Sequence, residues 1–147
     1  MLWQILVEEE TMPEVVKTAR DMIAGMTPKL TQGAFVFITA ADPALIAELS
    51  PQAISTFKEE EGMSLIVPVE VAEAAGLDAA HSMRCITLNV YSSLEGVGLT
   101  AAVSTALGEA GIPCNMVAAY HHDHVFVPTD KAAKAMDTLA RLQSRAN

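Results

Sequence analysis

The sequence predicts an α+β chain of two βαββα units, with antiparallel sheets and helices packed on one face. Three observations carry that expectation. The order strand, helix, strand, turn, strand, helix is read once over residues 33–76 and again over residues 85–139. The segment Ser64-Leu65-Ile66-Val67-Pro68 is followed by helical spacing, and so is its counterpart His124-Val125-Phe126-Val127-Pro128, which makes the order a divergent internal repeat. With 51% hydrophobic residues among 147, the chain has enough apolar surface to bury two small sheets. The expected division is 1–80 for the first unit and 81–147 for the second.

Residues 1–7 are a short apolar run suited to an edge strand. Thr11-Met12-Pro13-Glu14 has capping-box spacing, and Met12, Val15, Val16, Ala19, Met22, Ile23 and Met26 recur at three and four residues, which predicts an amphipathic helix over 12–26. Gly25 and Pro28 stand where that helix would stop. Its methionines are soft-metal donors in principle, but at this spacing they read as an adaptable core stripe. Residues 33–39 read as a buried strand. Asp42 before Pro43 then caps a short helix through Leu45, Ile46 and Leu49. Residues 53–57 start a strand, Lys58-Glu59-Glu60-Glu61-Gly62 is a charged turn, and 63–67 is the return strand. The acids of that turn form a solvated hairpin tip in preference to a cation site. Pro68 opens a helix through Val71, Ala72 and Ala75 that Gly76 closes.

The second half repeats the order. Residues 85–91 alternate as a strand, and Ser92-Ser93-Leu94-Glu95-Gly96-Val97-Gly98 forms a loop. Leu99, Ala102, Val103, Ala106, Leu107 and Ala110 make one apolar helix face that ends at Gly111. Strands follow at 114–120 and 125–127. The last helix, on Ala132, Ala135, Met136 and Leu139, has Thr129 or Asp130 as its expected cap. A right-handed crossover followed by a hairpin that inserts its last strand between the first two gives the ferredoxin-like arrangement. Each unit lacks a closing fourth strand, so its edge is expected to be covered by residues 1–7, by the other unit or by a second chain.

Eighteen acids against nine bases leave a net charge of −9, which makes nucleic acid and anionic membrane poor partners. The imbalance is concentrated in residues 1–76, with 12 acids to 4 bases, whereas residues 77–147 hold 6 to 5. The nearly neutral half suits self-association or ligand binding. No apolar run reaches membrane-spanning length and no signal segment opens the chain, so a cytoplasmic protein is expected. Cys85 and Cys114, placed about 10 Å apart on strands separated by a third, lie beyond disulfide reach and read as reduced thiols.

Certain segments resemble the ACT domains, small ferredoxin-like regulatory modules that bind amino acids. The closest resemblance is to the subtype found in aspartate kinases, cytosolic arginine sensors and small bacterial proteins with two such units. It rests on Leu94-Glu95-Gly96-Val97-Gly98-Leu99-Thr100, on Glu109-Ala110-Gly111-Ile112, and on the run from Ala118 and Ala119 to Val127; Ile54-Ser55-Thr56-Phe57 keeps a Ser-Thr-aromatic signature in the first half. The resemblance implies a ligand site between the loop after the first strand and the second strand of a neighbouring unit. Glu95, Gly96, Val97, Gly98, Leu99 and Thr100 would form the loop side. Backbone N–H groups there would take a carboxylate at the helix N-terminus, and Glu95 would pair with an ammonium group. Asn115, Met116 and Asp123 complete the expected set. Ala118-Ala119, where relatives carry Ser-Thr, removes two polar groups from it. The implied partners are a small amino acid or similar metabolite, a second copy in a homodimer, and a regulated protein that the sequence does not identify.

His121-His122-Asp123-His124 supplies zinc-type ligands. On a strand, His122 and His124 would share one face, with His121 and Asp123 on the other. The preferred reading is a turn, with Asp123 bonding backbone amides; a metal site on His122 and His124 is the alternative, and a pure assembly module is a third. No nucleophile, base and orienting partner assemble from the spacing, so neither catalysis nor a cofactor is expected.

Overall fold

The computed structural model describes residues 18–90 and 97–147. Its strands are β1 (Pro28–Leu30), β2 (Phe35–Ala40), β3 (Ser55–Lys58), β4 (Met63–Pro68), β5 (Met83–Leu88), β6 (Asn115–Ala118) and β7 (Asp123–Pro128). The helices are α1 (Ala19–Gly25), α2 (Pro43–Leu49), α3 (Val69–Ala74), α4 (Leu99–Glu109) and α5 (Ala132–Ala146). All strand pairs are antiparallel, and the seven strands make one sheet in the order β3-β4-β2-β5-β7-β6, with β1 also on β5.

The two βαββα units are visible in the register. Phe35 pairs with Pro68 in the first and Met83 with Pro128 in the second, so each unit begins opposite the proline that ends its last strand. The units meet where Phe35 of β2 pairs with Met83 of β5. β5 carries a second neighbour on that side, because Pro28, Lys29 and Leu30 of β1 pair with Leu88, Thr87 and Ile86. The edge of the second unit is therefore covered by a strand from earlier in the chain. Pro28 heads that strand, where a missing N–H is tolerated. Residues 1–7, the other expected closure, lie outside the described residues.

Of the expected helix over 12–26, the described part begins at Ala19, and Thr18, which is extended, caps α1 by accepting the Asp21 N–H on its Oγ1 at 3.3 Å. Thr11, the cap read from sequence, lies outside the described residues. The start of α5 also differs from expectation. Thr129–Lys131 forms a 3-10 turn with no side-chain cap, because the Thr129 hydroxyl lies 2.9 Å from that of Ser82 instead. The charged turn behaves as read: Gly62 takes a φ of 151°, and a Cβ there would stand 2.7 Å from the Ala40 carbonyl oxygen.

One face of the sheet is covered by helices. In the first unit Val36, Ala40, Leu65 and Val67 meet Leu49 and Ala72. In the second, Ile86, Leu88, Val125 and Val127 meet Val103, Leu107 and Leu139, and Met22 and Met26 from the α1 segment join that core. The opposite face carries a smaller apolar cluster of Phe35, Ile66, Cys85 and Phe126. The Phe126 ring stands perpendicular to those of Phe35 and Phe37, with centroids 6.2 and 5.4 Å away. Both cysteines are free.

Candidate functional site

α4 begins on Gly98, which has a φ of 111°, a value that favours glycine. A Cβ on Gly98 would lie 2.6 Å from the Cβ of Ala19, so glycine is also required for α1 to cross here. The Ala102 N–H donates to the Gly98 carbonyl at 2.9 Å, which starts the helical ladder. A glycine offers no side-chain cap, and among the described residues none is made at this end of α4. The first turn thus lies at the positive end of an eleven-residue helix, a position that suits a carboxylate.

The expected site residues divide into groups. Val97 is 80% exposed and Thr100 is exposed, whereas Leu99 is buried in the second core and offers only its backbone to a ligand. Glu95 and Gly96 lie outside the described residues. Asp123, half-buried, pairs with Leu88 at the end of β5 from which the loop leaves. Asn115 pairs with Phe126, which pairs in turn with Cys85. It therefore sits about 10 Å further down the ladder than Asp123. Its amide donates to the Met83 sulfur at 3.7 Å, and Met116 packs on the second core. Asp123 thus lies at the end of the β5–β7 ladder nearest the loop, while Met116 and Asn115, opposite Val125 and Phe126, lie toward its middle. The sequence reading missed Ala19, whose contact fixes the approach to α4; the glycine at 98 was the available signal.

His121 and His122 lie in the turn that joins β6 to β7, closed by the Ala119 N–H donating to the His122 carbonyl at 3.1 Å. Tyr120 and His121 stack edge to face at 5.0 Å. His124 is already on the ladder, opposite Thr87, with its Nδ1 2.9 Å from Thr87 Oγ1. Burial holds the His124 imidazole below its ordinary value of 6.5, the neighbouring His122 adds to this, and Asp123 opposes it. Among the described residues, no group of three or more His, Cys, Asp or Glu side chains converges as a metal site would require.

Two ferredoxin-like units joined in one sheet define the class as a tandem ferredoxin-like module. The chain belongs to the ACT-domain family: that domain matches twice, over residues 16–84 and 81–141. The chain is also similar to a Vibrio cholerae protein of unknown function described as a possible transport protein. Identity is 44% over 82% of this chain and 92% of that one, with a TM-score of 0.74. An Agrobacterium tumefaciens protein shares 17% identity over 79% of this chain and 87% of its own, with a TM-score of 0.56. The regulatory subunit of aspartate kinase from Thermus flavus shares 13% over 79% and 96%, with a TM-score of 0.52. The last two likenesses concern the fold. No curated protein matches.

Proposed function

We propose that the chain is a non-catalytic regulatory module that binds a small amino acid at the start of α4 and passes the signal to a separate protein. The observation that carries this reading is Gly98, which opens a helix N-terminus with no side-chain cap among the described residues, beside the exposed hydroxyl-bearing Thr100. The ligand carboxylate would accept from the first-turn N–H groups, and Glu95 would hold its ammonium group. Membership of the ACT-domain family supports a ligand-binding, regulatory role. A homodimer would bring Asn115 and Met116 of one copy to the loop of another. A net charge of −9 argues against nucleic acid and anionic membrane, and among the described residues no helix is long and apolar enough to cross a bilayer. The free cysteines suit a cytoplasmic setting. We keep two units, 1–80 and 81–147, with α1 and β1 of the first reaching over to the second.

A thermal-denaturation screen against the common amino acids tests the proposal. The cognate ligand at ~100 times its Kd adds about 2.7 kcal/mol of stability, and Glu95→Ala and Thr100→Val each weaken that response. A flat response to every amino acid overturns it. A second reading, assembly without a ligand, draws on the exposure of Phe57 (72%) and Tyr120 (73%). It predicts a melting temperature that depends on protein concentration alone.

A further inference from the structure

The sheet curls around its helix-free face. Ser55 at one edge, on β3, and Val117 at the other, on β6, line the same cavity of about 300 Å³. That volume is at the low end of small-molecule sites. Phe35, Ile54, Cys85 and Phe126 form most of the apolar wall, and His124 contributes an imidazole. None of these groups belongs to the proposed site at the start of α4.

We propose that this cavity binds a small uncharged aromatic molecule carrying one hydroxyl group. Three observations select that chemistry. Among the described residues no Asp, Glu, Lys or Arg lines the cavity, in a chain whose net charge is −9, so a charged guest would be desolvated without a partner. Phe35 and Phe126 already meet edge to face, and an aromatic guest extends that packing. The imidazole of His124 is fixed through Nδ1 by Thr87, which leaves Nε2 as the ring nitrogen available to a guest hydroxyl. Burial disfavours the charged form of this ring, and the neutral form can either accept from or donate to that hydroxyl according to its tautomer. Walls that come from β2, β3, β5, β6 and β7 enclose a compact molecule better than they receive the flat surface of another protein.

The site is independent of the amino-acid reading, because its residues and those at Val97, Gly98 and Thr100 are separate reporters. The test is an NMR titration of the full chain, isotopically labelled, with p-cresol as the probe. Saturable shifts are expected at Cys85, Thr87, Val117 and Phe126 and at the His124 ring. Val117→Phe fills the cavity and weakens p-cresol by on the order of tenfold or more, equivalent to about 1.4 kcal/mol. Thr87→Val, which releases the imidazole, weakens p-cresol but leaves toluene unchanged. Shifts that are scattered, fail to saturate or persist in Val117→Phe overturn the proposal. So do shifts at these residues that follow protein concentration without p-cresol, which would give the face to a second copy of the chain.

Discussion

Thr87 and His124 stand directly opposite each other on β5 and β7, and Thr87 Oγ1 lies 2.9 Å from His124 Nδ1. Burial, foremost, holds His124 below 6.5. As pH falls through 6.5 the unfolded chain takes up a proton that the folded chain resists, so stability falls until the folded-state value is passed. Cys85 works in the opposite sense. Burial raises its thiol above 9.0, against the hydrogen bonds of Thr31 and Thr87 that lower it, so stability is lost as pH rises past 9.0. Urea midpoints from about pH 5 to about pH 10 are expected to show a plateau with two falling limbs. His124→Asn flattens the acid limb and Cys85→Val the alkaline one.

Gly98→Ala places a methyl group against Ala19 and strains a backbone with φ of 111°. The conformational part costs about 1 kcal/mol and the overpacking about 1–3, so a loss of roughly 2–4 kcal/mol is expected in urea denaturation. Ala19→Gly in the same chain removes the clash. The double variant then loses less than the sum of the two singles, a coupling that a double-mutant cycle reads directly.

Met22 is fully buried among Leu99, Val103 and Leu139 of the second core, although it lies more than sixty residues earlier in the chain than any of them. Met22→Ala is expected to cost about 2–5 kcal/mol. Amide hydrogen exchange should accelerate in α4 and α5 before it does in β3 and β4. Equal acceleration in both units would show that α1 is not specific to the second.

Chelation is expected to leave the melting temperature unchanged, because His121 and His122 serve the turn and His124 the ladder. Thermal melts with and without a chelator, and with added zinc, check this. A drop in melting temperature with chelator that His122→Ala abolishes would restore the metal reading.

Much of the architecture was legible because its signals are local. Val36, Ile38 and Ala40 sit at period two, Leu99, Val103 and Leu107 at helical period, and Pro68 and Pro128 end equivalent strands. β1 was not legible: three residues headed by a proline carry no periodicity, and Gly25 and Pro28 looked like the end of a helix and nothing more. Its pairing with β5 is decided by tertiary contact. At the start of α4, the glycines signalled a special backbone, but the role of Ala19 depends on a helix distant in sequence. The cavity was hidden for the same reason, since its walls come from five strands. A partial signal existed in Phe35-Val36-Phe37-Ile38 and Val125-Phe126-Val127, where consecutive apolar residues imply strands with something to cover on both faces.

The pairing of Leu30 with Ile86 also sets an order of events. On the ribosome, α1 and β1 emerge ahead of residues 35–74, and only after these does β5 arrive to receive them. Until it does, the α1–β1 arm has no seat, and Met22 and Met26 remain outside the core they fill. A second copy of the chain presents an identical β5. Two molecules refolding together at high concentration therefore have a route to an arm-exchanged dimer, held by the contacts of the monomer and needing no new surface.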